Sequence, residues 1–299
     1  MIRVNWIDMV FGVLGNFNKE EFYDIFNELC DFLSKRDGIE LYLLDNDRID
    51  KQKIIRTDLI VNFDSFEKKS DVIISIGGDG TIISTLRKLI KSNLPVLGLH
   101  IGGLGFLAEC NKFSYKDRLE DIINGNYYVE DRMLIEVYNN HDKYQFYSIN
   151  EVVVNRGEIG RTIKINVSID DKYVNTYEAD GLIFSTPTGS TAYSLSAGGP
   201  IVSPELDLII VTPICPHTLS MRPLIVPSNE SICVSFEEES LINNLSLNVD
   251  GQIQESISRK SKIIIEKSQY TSKIIKFNDY DYYKTLRNKM NWKGNLRFK

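Results

Sequence analysis

The run Asp71-Val72-Ile73-Ile74-Ser75-Ile76 passes directly into Gly77-Gly78-Asp79-Gly80-Thr81, which leaves the backbone few choices. The first six residues are short, apolar and β-branched, as a buried strand requires. After the glycines, Ile82, Ile83, Leu86, Leu89 and Ile90 recur at helical spacing. The expected local structure is a strand, a tight turn and a helix start. Glycines in such a turn let a phosphate approach the exposed N–H groups at a helix N-terminus. An acid placed there is unfavourable beside a phosphate unless it binds a metal or accepts a proton. Two readings of Asp79 stay open on this stretch alone: a helix N-cap, or a functional acid at the mouth of a ligand cradle. A P-loop is excluded, because no Gly-Lys-Ser/Thr occurs in the chain.

The neighbouring pattern extends this unit. Met9 to Leu14 reads as a first strand. Lys19 to Arg36 reads as an amphipathic helix with Phe22, Ile25, Phe26, Leu29, Phe32 and Leu33 on one stripe, and Ile39 to Leu44 as a second strand. Residues 45–70 are polar and irregular, with room for a short helix, and Pro95 to His100 is another strand. Alternating strands and helices predict parallel β-α-β units with ligands at the carboxyl ends of the strands. Gly103-x-Gly105-x-x-Ala108 matches the dinucleotide fingerprint formally, yet it neither follows the first strand nor opens a helix, so it is read as a glycine-rich loop.

Near residue 130 the texture changes. Thr162 to Ile169 alternates with period two. Leu134–Tyr138, Tyr144–Val154, Tyr173–Tyr177, Leu208–Val211, Ser231–Phe236, Leu245–Val249 and Lys262–Glu266 also read as strands, separated by turns such as Asp170-Asp171 and Asp250-Gly251. The expected fold class is an α/β N-terminal domain with a parallel sheet plus a β-rich, sandwich-like C-terminal domain. The expected boundaries are 1–130 and 131–277, with the helical tail 278–299 returning to the first domain.

Composition narrows the function classes. The net charge of −6 over 299 residues disfavours a nucleic-acid partner that needs a basic surface. No apolar run approaches the roughly 18 residues of a membrane span, and the N-terminus shows no secretory signal. Cys30, Cys110, Cys215 and Cys233 are widely spaced, which suits buried free thiols in a reducing compartment rather than a zinc site or disulfide framework. A cytoplasmic protein without a membrane or nucleic-acid partner is expected.

Three constellations lie in the β-rich half. Asn150-Glu151 pairs an amide and an acid inside a strand-like run; both can reach one ligand only at a strand end or bulge. Asp180 to Pro200 carries an apolar strand into a dense patch of Ser, Thr and Gly. Its embedded Pro187, Tyr193 and Leu195 argue for a binding loop leading into a helix rather than a flexible linker. The third is His217 to Arg222-Pro223. Without a Gly-x-Ser-x-Gly elbow or an HExxH motif to recruit it, His217 is read as structural, as is His141.

Taken together and in this order, Gly77–Thr81, Leu104–Glu109, Asn150-Glu151, Asp180–Pro200, His217–Pro223 and Asp250-Gly251-Gln252 resemble the NAD kinase family, over most of the chain from about residue 71. The Gly-Gly-Asp-Gly turn is shared with lipid kinases and phosphofructokinases, whereas the long Asp180–Pro200 stretch is specific. The resemblance implies transfer of the γ-phosphoryl of ATP to the 2′-hydroxyl of the adenosine ribose of NAD, giving NADP. It implies Asp79 as general base, with Gly80, Phe106, Asn150, Glu151 and Asp180 lining the NAD pocket. Thr191, Ala192, Tyr193, Ser194, Leu195 and Ser196 match the loop around the nucleotide, and Gln252 matches a contact in the Asp-Gly-Gln turn. Arg161 and Glu178 fall where the family places variable substrate contacts. The sequence shows no dedicated metal cage, so Mg²⁺ is expected to arrive with ATP, as is usual for this ion; the family also implies a homodimer or homotetramer. One departure is His100, where similar proteins usually carry Asn before the glycine loop. The competing readings are a diacylglycerol- or sphingosine-type lipid kinase and an idle NAD-binding sensor.

Overall fold

The computed structural model describes residues 9–103, 105–139, 144–157, 162–237 and 245–292. The chain forms two compact units. One runs up to Asp131 and resumes at Lys273; the other is Arg132–Ser272.

In the first unit the elements are β1 (Met9–Gly15), α1 (Glu20–Leu33), β2 (Ile39–Leu44), β3 (Ile60–Val61), α2 (Phe63–Lys69), β4 (Val72–Gly77), α3 (Asp79–Lys88), β5 (Val96–His100), β6 (Cys110–Asn111) and α4 (Tyr115–Ile123). The strands pair in parallel in the order β3-β2-β1-β4-β5, with β6 beside β5. The order reverses between β1 and β4. That is a topological switch point, where a crevice opens at the carboxyl ends of the strands. The Gly-Gly-Asp-Gly turn begins at the carboxyl end of β4. Both faces of the sheet are covered, and so β4 is buried at all six positions. On one face α1 contributes Phe22, Ile25, Phe26, Leu29 and Leu33, and α4 contributes Tyr115, Leu119 and Ile122, to a single core. Burying each such side chain contributes about 1.5–3 kcal/mol. Phe66 of α2 and Ile82, Ile83 and Leu86 of α3 are buried outside that cluster.

The second unit is built from β7 (Tyr128–Asn139), which enters it, β8 (Tyr144–Ser148), β9 (Glu151–Arg156), β10 (Ile163–Ile169), β11 (Lys172–Ala179), β12 (Gly181–Ser185), the one-turn α5 (Tyr193–Ser196), β13 (Leu208–Ile214), β14 (Leu224–Pro227), β15 (Ile232–Phe236), β16 (Leu245–Val249), β17 (Ile253–Ile257) and β18 (Ile263–Lys276), which leaves it; α6 (Tyr282–Lys289) follows. One antiparallel sheet has the order β14-β13-β12-β9-β16-β17, and β11-β10-β15-β18 are antiparallel neighbours in another. Alternate residues of both sheets meet in one core: Ile163, Ile165 and Val167 from β10 with Val152 and Val154 from β9, Leu182 and Phe184 from β12, and Leu245, Leu247 and Val249 from β16. This is the expected period of two, and the sandwich-like class holds.

Several local expectations change. Tyr144–Val154 is two strands rather than one, broken at Ile149-Asn150. The peptide groups there are taken by Asp250 and Thr186 instead of the strand ladder. The region 45–70 holds α2 and the short β3. Cys30 and Cys110 are buried, but Cys215 is exposed just past the end of β13, and Cys233 is intermediate because it alternates with the core residues Ile232, Val234 and Phe236 and so lies on the other face of β15. The glycine stretch after β5 leads into β6 and not a helix, as its spacing predicted.

A buried ion pair ties the chain after that glycine stretch to the end of β18. Lys276 and Glu109 bond directly, their side chains 0% and 4% exposed, and the Lys276 ammonium lies 3.6 Å from the Tyr280 ring centroid. Burial pushes the Glu109 carboxyl above its usual range despite the pull of Lys276, so desolvation outweighs attraction in this pair. Glu109→Gln strands a buried ammonium and is expected to cost about 3–5 kcal/mol, whereas Glu109→Leu with Lys276→Met removes both charges and returns stability to wild type or above. Urea denaturation of the three proteins checks both expectations.

Candidate functional site

In the first unit the chemistry collects at the end of β4. Gly78, with extended backbone (φ −98°, ψ −178°), is the N-cap of α3, and Asp79 is the first helical residue. Where this chain caps α-helices with side chains it uses Asn62, which accepts from Ser65 N–H, and Asp281, which accepts from Lys284 N–H. Asp79 makes no such bond. Its carboxylate turns to the loop after β5, where Oδ2 accepts from Phe106 N–H at 2.9 Å and Oδ1 from Leu107 N–H at 3.4 Å. The helix-cap reading of Asp79 is therefore excluded by geometry. The side chain is half-buried and Gly80 is exposed.

The glycines around Asp79 serve different ends. A Cβ on Gly77 would lie 2.4 Å from Thr81 Oγ1, so packing requires the glycine; on Gly78 a Cβ would meet nothing nearer than His100 Nε2 at 3.6 Å. A Cβ on Gly105 would fall 1.8 Å from Asp79 Oδ1. The loop can thus deliver its amides to the carboxylate only with glycine at 105. His100 also orders this loop: its Nδ1 accepts from Gly102 N–H at 2.9 Å. Leu104 lies outside the described residues.

In the second unit the site is organised by the break between β8 and β9. Asn150 sits in the break and Glu151 starts β9, the strand-end placement that lets an adjacent pair face one ligand. Asp250, in the turn after β16, accepts from Asn150 N–H at 2.8 Å, Ile149 N–H at 3.1 Å and Ser148 Oγ at 2.7 Å. From the other side Thr186 N–H donates to Asn150 O at 2.9 Å and Thr186 Oγ1 to Ile149 O at 2.6 Å. Gly189 packs on the same carbonyl, since a Cβ there would lie 2.1 Å from Asn150 O.

Glu151 is 6% exposed and its Oε2 has no hydrogen-bond partner. Burial first, and then the charge of Asp250, push its carboxyl up to about 7, while the backbone N–H of Tyr193 pulls the other way. A buried acceptor left open in this way is a functional-site signal.

The Ser/Thr-rich stretch is a well-packed loop. After β12 come a 3₁₀ turn at Thr188–Thr191 and then α5, the loop-into-helix arrangement expected for it. Most of its hydroxyls are spent inside the protein: Ser190 Oγ bonds Val202 O, and Ser194 Oγ lies 3.0 Å from Thr212 Oγ1. Tyr193 and Ser196 are exposed, and Thr191, Ala192 and Leu195 half-buried. Asp180 forms an ion pair with Arg156 (3.1 Å). Glu178 accepts from Thr162 Oγ1 at 3.1 Å through its side chain and from His217 N–H at 2.8 Å through its carbonyl. Gln252 is exposed in the turn between β16 and β17. Arg161 and His141 lie outside the described residues.

Asp250 was legible as a turn residue only. Nothing local to Asp250-Gly251 announces that its carboxylate serves residues about a hundred positions earlier. An Asp in a left-handed turn (φ 51°) facing an amide-acid pair is the signal that could have found it.

Comparison with known proteins adds two kinds of finding. Residues 11–127 match the ATP-NAD kinase N-terminal domain and residues 149–277 the ATP-NAD kinase C-terminal domain. The NAD kinase of Wigglesworthia glossinidia brevipalpis is 37% identical over 293 residues, covering 97% of each chain. That of Syntrophotalea carbinolica is 40% identical over 225 residues, 74% of this chain and 78% of the relative. Among solved structures, an NAD kinase from Archaeoglobus fulgidus in complex with ATP superposes with a TM-score of 0.74 at 25% identity, covering 96% of this chain and 100% of the other. Yeast NADH kinase complexed with NADH gives 0.84 at 22% identity over 99% and 91%, a likeness of fold.

Gly105→Ala tests the contact between the glycine loop and Asp79. The added methyl must displace the carboxylate, so the Phe106 and Leu107 amides should lose their protection from hydrogen exchange while the sheet amides of β4 and β5 keep theirs. Unchanged protection at Phe106 would show that the loop has another anchor.

Proposed function

The chain belongs to the NAD kinase family, and on that premise we propose how its residues divide the transfer of the γ-phosphoryl of ATP to NAD. Asp79 is the general base for the 2′-hydroxyl of the adenosine ribose. The observation that carries this is the Asp79 carboxylate itself, turned away from its helix and aimed by two backbone N–H groups at the carboxyl end of β4. A ribose hydroxyl is a poor nucleophile near neutral pH, and Asp is a weak base with a reference pKa of about 3.9. Asp79 therefore accepts the proton as the oxygen–phosphorus bond forms and does not ionise the hydroxyl beforehand. Such help contributes roughly 10²–10⁴-fold.

The remaining acceleration is positional. Gly78 and Gly80 open the α3 N-terminus to donor phosphates, and the absence of any packing demand for glycine at 78 supports that role. Gly80, Phe106, Asn150, Glu151, Asp180, the 191–196 loop and Gln252 hold NAD, with Arg161 and Glu178 as further contacts. Adjacent at a strand end, Asn150 and Glu151 supply an amide and a carboxyl to the ribose hydroxyls.

Mg²⁺ belongs with the nucleotide, where it spreads the charge of the phosphates during transfer. Among the described residues no group of three or more His, Cys, Asp and Glu side chains is placed to hold a metal. The Asp79 carboxylate is already engaged by two N–H groups, which suits an ion delivered by ATP rather than a resident one. The same reading has the protein working as a homodimer or homotetramer in the cytoplasm, in keeping with its free thiols. No helix among the described residues is long and apolar enough to cross a membrane.

The test is a coupled assay with NAD, ATP and Mg²⁺, detecting NADP with an NADP-specific dehydrogenase, run on wild type and Asp79→Asn. Wild type is expected to form NADP. The variant should bind NAD as before and turn over roughly 10²–10⁴-fold more slowly. Wild-type rates from Asp79→Asn would remove Asp79 from the role of base.

A further inference from the structure

We propose that Asp250 is a positioning residue for the NAD site: its carboxylate holds the backbone from Ser148 to Glu151 in place, and its charge adds to burial in favouring the protonated form of Glu151, on whose proton NAD affinity depends. This rests on the reading above that Glu151 contacts NAD.

The geometry has two parts. Asp250 is 8% exposed and occupies the left-handed region (φ 51°), which Asp tolerates better than most residues. Its Oδ1 accepts from Ser148 Oγ (2.7 Å), Asn150 N–H (2.8 Å), Ile149 N–H (3.1 Å) and Glu151 N–H (3.3 Å); Oδ2 accepts from Ile149 N–H at 3.2 Å. Its own N–H donates to Glu151 O at 3.0 Å. Three successive peptide N–H groups are thereby removed from any strand ladder and pointed at one carboxylate. That is what ends β8, starts β9 one residue past Asn150, and keeps the amide-acid pair at the strand end.

The second part is electrostatic. Glu151 is buried, with Oε2 unpartnered. Its surroundings are Ser185 opposite it on β12, the Tyr193 N–H from α5, and Asp250 from the turn after β16. Asp250 is the charged group acting on it. Two acids in a site shielded from water repel with little screening. Burial first, and this repulsion second, push the Glu151 carboxyl up to about 7. Below that value the carboxyl carries a proton and can donate; above it the carboxylate only accepts. Ribose hydroxyls that donate to the open Oε2 favour the ionised form, so NAD affinity should rise as pH increases through about 7. By linkage, NAD binding then releases a proton. The sign for folding is opposite: a carboxyl raised from 4.5 to about 7 in the folded state loses stability as pH rises across that window.

The experiment is calorimetric titration of NAD, without ATP, into the full-length protein at a series of pH values bracketing 7, for wild type, Asp250→Asn and Glu151→Gln. Asn at 250 keeps an acceptor oxygen for the N–H groups but removes the charge. The expected results are a wild-type inflection near 7, an inflection roughly one unit lower in Asp250→Asn, and a flat profile in Glu151→Gln. Equal inflections in wild type and Asp250→Asn would overturn the proposal. Failure of wild type to bind NAD at any pH would instead overturn the functional reading beneath it. Should Asp250→Asn not fold, carboxyl ¹³C titration of the wild type decides. The Asp250 carbon must register the Glu151 titration near 7, and a Glu151 midpoint at the ordinary value of about 4.3 overturns the proposal.

Discussion

The structure depends twice on one interaction, the hydrogen bond from a backbone N–H to an aspartate. Peptide N–H groups removed from water must find an acceptor, and an ionised carboxylate is a stronger acceptor than a carbonyl. In the α/β unit, Asp79 takes the N–H groups of Phe106 and Leu107; in the β-rich unit, Asp250 takes those of Ile149, Asn150 and Glu151. Each aspartate thereby fixes an irregular segment that neither a helix nor a sheet could hold. Site loops need that irregularity, and these bonds confine it to one conformation.

The two aspartates differ in what their charge does next. Asp79 is half-buried at a helix N-terminus, where the positive end of the helix dipole favours a carboxylate, and in the proposed reaction it receives a proton. Asp250 is enclosed, and its charge falls on Glu151, whose carboxyl is already raised by burial. The same chemical group thus works as a base in one unit and as a scaffold with an electrostatic reach in the other. Glycine makes both arrangements possible: Gly105 leaves room for the Asp79 carboxylate, and Gly189 for the Asn150 carbonyl.

Much of the fold was legible locally. The stripe of Phe22, Phe26, Leu29 and Leu33 announced α1, and the alternation of Ile163, Ile165 and Val167 announced β10. The elements that escaped were those with weak or short patterns: α4, with only Tyr115, Leu119 and Ile122 buried; β14, at a sheet edge; and β17, whose run Gln254-Glu255-Ser256 is exposed. Edge strands bury too little to imprint a period. The break at Ile149-Asn150 escaped for another reason, since the residues on both sides have strand-like texture and only a distant acceptor interrupts them. Likewise, the Ser/Thr-rich stretch reads as a binding loop, but nothing in it announces that Thr186, Ser190 and Ser194 use their hydroxyls to pin the loop to its own unit.

By itself the sequence determined what depends on neighbours within a few residues: the strand, glycine turn and helix around Asp79, the change from period 3.6 to period two near residue 130, and the motif order that marks the family. Only the tertiary structure decided what the key carboxylates do. Asp79 meets its partners 27 and 28 residues later, and Asp250 meets its partners about a hundred residues earlier. A hydrogen bond across that separation leaves no periodicity in the chain, because its geometry is set by sheet order and register rather than by spacing along the sequence.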